Sequence, residues 1–213
     1  MIRLENITKK YTDKTIFNSI DFTINNGDFI AITGQSGSGK TTFFNLISGI
    51  DTDFIGDYQL ENMLIKQKDI RKETKDQISF VLQDIGVLNY MTALENILLP
   101  FNYNNKKVDE KYLDEIIDSL DIKNLLNKKT KYLSGGEKQR IAIARSLITK
   151  PKLILADEPT GSLDDENTFN TIKLFDSINK KFNIAIIVVT HRKDILQNFK
   201  KVYKIENEKI IEI

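Results

Sequence analysis

The chain has 213 residues, enough for one α/β domain with a substantial core and a subordinate lobe. Its 31 basic and 30 acidic residues leave a formal net charge of +1 and lie scattered, so nothing in the charge argues for a nucleic-acid partner. It has no cysteine, no signal-peptide core after Met1-Ile2-Arg3-Leu4-Glu5, and no apolar run near the ~18 to 20 residues that span a bilayer. Disulfides and thiolate metal sites are excluded, and any work at a membrane would need a second chain to supply the membrane part.

In chain order, Ile2 and Leu4 alternate with Arg3, and Ile20, Phe22 and Ile24 alternate with polar residues. One-faced alternation predicts strands of an antiparallel sheet over residues 1–24. Tyr11-Thr12-Asp13-Lys14 between them is a turn bearing an exposed aromatic, and Asn25-Asn26-Gly27 is a second turn. Phe29-Ile30-Ala31-Ile32 is an unbroken apolar run, as in a strand buried on both faces of a parallel sheet. Gly34-Gln35-Ser36-Gly37-Ser38-Gly39-Lys40-Thr41-Thr42 follows, and then residues 43–48, apolar at helical spacing and stopped by Gly49.

Strand, glycine-rich loop and helix stand in the order that a phosphate-binding loop requires. The glycines let successive amides turn inward onto phosphates, and the helix N-terminus adds partial positive charge. Lys40 would bridge the β- and γ-phosphates, and Thr41 offers a hydroxyl to Mg²⁺. A nucleoside triphosphate with Mg²⁺ is the expected ligand.

Residues 51–76 read as irregular and charged, with strand-like pieces at 58–60 and 63–65. Ile78-Ser79-Phe80-Val81-Leu82 is another buried strand, ending at Gln83. The character then changes. Residues 91–99 have a helical pattern halted by Pro100, 102–107 form a polar loop, and 108–120 form an amphipathic helix with Leu113, Ile116, Ile117 and Leu120 on one face. After a short apolar turn at 122–126, a helix is predicted over 137–149, a strand at 153–156, a helix over 165–181 with Phe169, Ile172, Phe175 and Ile178 inward, and a buried strand at 184–189. A hairpin of residues 202–206 and 209–213 about Asn207-Glu208 closes the chain. The division this suggests is a single domain over 1–213, with a core of 1–83 and 151–213 and a helical subdomain over about 84–150.

Leu153-Ile154-Leu155-Ala156-Asp157-Glu158 is an apolar strand ending in two carboxylates. Ligands of open α/β sheets bind at such strand ends, so both acids are expected to face the phosphate loop. Asp157 would hold Mg²⁺, and Glu158 would act as general base on the attacking water. His191, the only histidine, follows Thr190 just beyond the strand at 184–189, a place suited to catalysis. Leu133-Ser134-Gly135-Gly136-Glu137-Lys138-Gln139-Arg140 reads in two ways. Ser134 is a helix N-cap with Glu137 in the first turn, or the helix end is a second γ-phosphate site.

These elements together resemble an ATP-binding cassette over essentially the whole chain. Residues 133–140 are similar to the family's signature sequence and stand between the two Walker-type elements. Gln83 resembles the Q-loop glutamine, Ser162-Leu163-Asp164 the D-loop, and His191 the switch histidine. Tyr11 sits where the family places an aromatic that stacks on adenine. The resemblance implies a doubly wound α/β phosphate-loop NTPase core with an antiparallel edge sheet and a helical subdomain. It also implies that Gln83 joins Glu158 and His191 in catalysis and Thr41 and Asp157 around Mg²⁺.

By the same resemblance, Ser134, Gly135, Gly136 and Asp164 contact nucleotide, the first three closing over the ATP of a second chain. Two copies, or one copy and a related cassette, would form an ATP-dependent dimer bound to a separate transmembrane permease on the cytoplasmic side of the membrane. Residues 83–88, 91–97 and 99–100 resemble cassettes for lipoprotein release, macrolide export and antimicrobial-peptide export, which suggests export, with bacteriocin or peptide cargo favoured. Two departures stand out: Leu82 replaces a frequent aromatic before Gln83, and Arg192 replaces a frequent acid after His191. The competing expectation is an ATPase of the same type that anchors or regulates a membrane complex in cell division.

Overall fold

A computed structural model of the chain describes residues 1–12, 14–82, 86–102, 107–161 and 163–213. Two sheets build it. β1 (Ile2–Tyr11), β2 (Lys14–Ile24), β4 (Ile55–Leu60) and β5 (Met63–Leu64) form an antiparallel sheet in the order β2-β1-β4-β5. β3 (Phe29–Thr33), β6 (Ile78–Val81), β7 (Leu153–Asp157), β8 (Ala185–Val189), β9 (Lys201–Glu206) and β10 (Lys209–Glu212) form the second, in the order β10-β9-β3-β8-β7-β6. All its pairings are parallel except that of β10 with β9, the terminal hairpin expected from Asn207-Glu208.

The apolar runs are continuous because both faces of this sheet are covered. Phe29, Ala31, Ile154, Ala156, Ile186 and Val188 face one buried cluster, and Ile30, Ile32, Leu153, Leu155, Ile187 and Val189 face the other. The first cluster is capped by α3 (Ala93–Asn102), α4 (Glu110–Leu120), α5 (Gly135–Leu147) and α6 (Asp165–Phe182). The second is closed by α1 (Lys40–Ser48) and the antiparallel sheet. The C-terminal ends of β3, β8 and β7 therefore lie side by side, with Ile32 paired to Val189 and Val189 to Asp157.

Three expectations need correction. Residues 51–76 are not all irregular outside their strands: α2 spans Gln67–Thr74 and buries only Ile70 and Thr74, one turn apart on one face. A single buried aliphatic leaves almost no periodic signal. Pro100 does not halt α3, which runs on to Asn102; with only two residues after it, the lost hydrogen bond and the crowding of the Asn96 carbonyl fall on the last turns of the helix. Phe169 does not point inward on α6. Thr168, Thr171, Ile172 and Phe175 fill the buried face, and Phe169 is 42% exposed with the Lys173 ammonium 4.3 Å from its ring centroid.

Candidate active site

The loop between β3 and α1 is shaped around its own amides. Gly39, the residue before α1, has φ 110°, and a Cβ there would lie 2.7 Å from Ile16 Cγ2. A Cβ on Gly34 would stand 2.6 Å from Ser38 Oγ and 2.7 Å from the Ile205 carbonyl oxygen. Lys40 opens α1, and its Nζ donates to the carbonyls of Gly34 at 2.9 Å and Gln35 at 3.0 Å. With no acid in the first turn of α1, the helix end keeps its full partial charge.

A cavity of about 310 Å³ opens over this loop. Ser36, Gly37, Gly39, Lys40, Thr41 and Thr42 line one side, and Asp157 and Glu158 another. Ile16 of β2 completes the wall, a residue that sequence reasoning missed because it lies in a strand outside any motif.

Asp157 ends β7 half-buried. Burial pushes its carboxyl above the ordinary range, the neighbouring Glu158 charge adds to the rise, and Lys40 partly offsets it. Glu158 takes a left-handed φ of 43°, and its N–H donates to the Val189 carbonyl at 3.0 Å. That strained turn, held by β8, sets where the carboxylate goes. His191, beyond the end of β8, brings Nδ1 to 3.1 Å from Glu158 Oε2. Arg192 donates to Asp165, Asp194 and Thr168, so the unexpected cation ties the exit of β8 to the first turns of α6.

The residues present fit a nucleoside triphosphate with Mg²⁺. Ser38 Oγ is buried with no hydrogen-bond partner, an orphan that a phosphate oxygen would satisfy. No group of three acids or histidines able to hold a metal exists among the described residues. Thr41 and Asp157 would be the protein's share of the oxygen shell of a Mg²⁺ bound with the triphosphate.

Tyr11 ends β1 with 44% of its surface exposed, and its hydroxyl donates to Asp51 Oδ2 at 2.6 Å. Gln83 and Ser162 lie outside the described residues.

Ser134, Gly135 and Gly136 are not among the residues lining the cavity. Ser134 caps α5 in a capping box with Glu137. The α5 N-terminus instead abuts the start of α6: a Cβ on Gly136 would be 3.2 Å from Asn167 Oδ1, and one on Gly135 3.6 Å from Leu163. Asp164 caps α6, accepting from the Asn167 N–H at 2.8 Å and its side chain at 2.7 Å. Those two bonds lower its pKa. Signature-like helix end and D-loop-like aspartate thus form one surface, apart from the residues around the phosphate loop.

Known proteins resemble this chain in sequence and fold. A family model described as ABC transporter matches residues 17–161. The phosphonates import ATP-binding protein of Fusobacterium nucleatum is 38% identical over 99% of this chain and 90% of its own length. The lipoprotein-releasing system ATP-binding protein of Buchnera aphidicola is 35% identical over 99% of this chain and 96% of its own. Among solved structures, the ATP-binding cassette MJ0796, a dimer in a post-hydrolysis state with ADP and Pi, is 30% identical with a TM-score of 0.80, covering 100% of this chain and 98% of that one.

Proposed function

Because the chain belongs to the ABC transporter family and is an ATPase cassette, we propose that it powers a membrane transporter by closing with a second cassette around shared ATP. The observation that carries this reading is the separation within one chain. The cavity holds the phosphate loop and both carboxylates, while Ser134, Gly135 and Gly136 line no part of it and sit with Asp164 at the α5–α6 surface. That helix end would then serve another chain's nucleotide. In each site one chain supplies Lys40, Thr41, Asp157, Glu158, His191 and Gln83, and the other supplies the signature surface on its helical subdomain, residues 84–150. Lys40 would exchange its carbonyl partners for phosphate oxygens, and Glu158 would take a proton from the attacking water.

On the likeness to transporter cassettes we assign the chain to the cytoplasmic face of the membrane, held by a separate permease; no helix among the described residues is long and apolar enough to cross a bilayer. A cavity of about 610 Å³ between α2–β6 and α3–α5, with Phe80, Pro100, Phe101 and Ile148 in its lining, is the surface we assign to that permease. Nearby, Val87 packs against the core and Tyr90 is 70% exposed. We favour export of a peptide, lipoprotein or drug-like cargo, on the likeness of residues 83–88, 91–97 and 99–100 to cassettes for lipoprotein release, macrolide export and antimicrobial-peptide export. The relative named for phosphonate import defines the competing cargo class.

The test is the order of the reaction in enzyme. ATPase rate should rise more steeply than linearly with dilute enzyme, and Glu158→Gln should form dimers with ATP on a sizing column. Full specific activity from a demonstrated monomer would overturn the shared site.

A further inference from the structure

Beneath Tyr11 lies a buried cation that the cassette reading leaves unused. A bulge at Asn6, with φ 53°, shifts the phase of β1, so that Ile7 and Lys9 follow Ile2 and Leu4 into the interior. Lys9 is only 1% exposed. Its Nζ donates to Asp51 Oδ1 at 2.9 Å and the Asp53 carbonyl at 2.6 Å, and stands 4.5 Å from the centroid of the Tyr11 ring. Asp51 follows the α1 C-terminus and bridges the group, taking Lys9 on one oxygen and the Tyr11 hydroxyl on the other. Burial alone would lower the Lys9 pKa, but the Asp51 hydrogen bond and charge outweigh it and raise it. Asp51 is lowered despite its burial by its bonds to Tyr11 and Lys9. Both partners stay charged.

An ion pair in this position is a poor device for stability, because an apolar side chain of similar volume would serve the core as well or better. Its geometry points elsewhere. Lys9 covers one ring face, so the exposed part of Tyr11 is the opposite face and the rim. The Asp51 bond fixes the hydroxyl and with it the ring's long axis, and Lys9 against the inner face restrains rotation of the ring about that axis. A cation on the inner face also draws π-density inward, which favours stacking of an electron-rich purine on the outer face.

We infer that Lys9 and Asp51 are positioning residues that hold Tyr11 as a one-sided platform for the adenine base. This rests on the reading of Tyr11 as the base-stacking residue. The two residues act on base recognition and leave the phosphate end of the site alone.

The test compares ADP with inorganic pyrophosphate, which shares its phosphates and lacks the base. Affinities of the purified chain are measured by calorimetry or competition, and folding is followed by melting. Tyr11→Ala should weaken ADP roughly 5- to 100-fold, the range of one lost base–aromatic stack. Asp51→Asn and Tyr11→Phe change almost no volume and should each weaken ADP about 3- to 10-fold, the loss of one hydrogen bond's orienting effect. Pyrophosphate affinity should be unchanged in all three, and Lys9→Met should follow Asp51→Asn. If Tyr11→Ala leaves ADP affinity intact, the base-platform reading itself fails. If Tyr11→Ala weakens ADP but Asp51→Asn and Tyr11→Phe do not, the platform stands and the positioning role is overturned. Equal losses for ADP and pyrophosphate would mean a merely structural role, and would also overturn it.

Discussion

His191 Nδ1 lies 3.1 Å from Glu158 Oε2, a contact that joins the ends of β7 and β8. It occupies one oxygen of the carboxylate and leaves Oε1 for a water. On the proposed mechanism, the histidine would aim the acid that takes the proton. Glu158→Gln keeps the shape and removes the base, so kcat should fall roughly 10²- to 10⁴-fold with nucleotide binding retained. His191→Ala removes one hydrogen bond to a charged group, roughly a 10- to 150-fold loss in kcat. Because the two act as a unit, the double variant should be no slower than Glu158→Gln alone. Additive losses in steady-state kcat would separate their roles.

Lys40 donates to the Gly34 and Gln35 carbonyls, so its ammonium stands over the loop. Lys40→Ala should weaken ATP·Mg²⁺ roughly 10- to 100-fold, the scale of a lost charge-assisted hydrogen bond. The melting temperature should hardly move, since the side chain supports only loop carbonyls. Undiminished ATP binding in equilibrium titration would sink the phosphate-loop assignment.

Asp157 yields a prediction in pH. Burial, with the Glu158 charge behind it, raises its carboxyl above the ordinary 3.8. The folded chain therefore holds this proton more tightly than the unfolded chain, and stability contributed by the group falls as pH rises from 3.8 through the raised value. Asp157→Asn removes that penalty. The nucleotide-free variant should melt above the parent at pH 7, and the gap should close as pH drops below the ordinary carboxylate value. Hydrolysis should be lost at every pH. An Asn variant that melts lower at pH 7 would show that the ionised carboxylate stabilises this site.

The legible parts of the molecule were those written contiguously. The run from Phe29 to Thr42 carries strand, loop and helix in one sentence of sequence, and Asp157, Glu158 and His191 stand at the ends of apolar strands that paired as neighbours. Elements held by few buried residues were not legible. α2 buries one aliphatic, and Phe169 shares the spacing of the true inward face while lying at its edge. Lys9 and Asp51 are 42 residues apart, and in sequence Lys9 looks like any surface lysine. Only the bulge at Asn6, invisible to an alternation pattern, turns it inward.

The final prediction concerns Ser134, whose helix end sits with Asp164 at the α5–α6 surface and not among the residues lining the phosphate-loop cavity. On the proposed shared site, Ser134→Arg would place a long side chain where a partner's γ-phosphate would lie, blocking closure while leaving the chain's own phosphate loop untouched. Nucleotide binding by the monomer should equal that of the parent, and hydrolysis should vanish. Mixing this variant with Glu158→Gln then tests the geometry. In a mixed dimer one site combines both defects, and the other combines an intact Glu158 with an intact Ser134 from the opposite chain. Random pairing makes half the dimers mixed, each with one sound site, so about a quarter of the parental rate should return from two inactive proteins. If Ser134 served its own chain's nucleotide, every site in every dimer would keep one defect, and no activity would return however thoroughly the chains were exchanged. Mixed dimers verified by differential tagging that stay inactive would therefore place the signature surface and the phosphate loop in the same site.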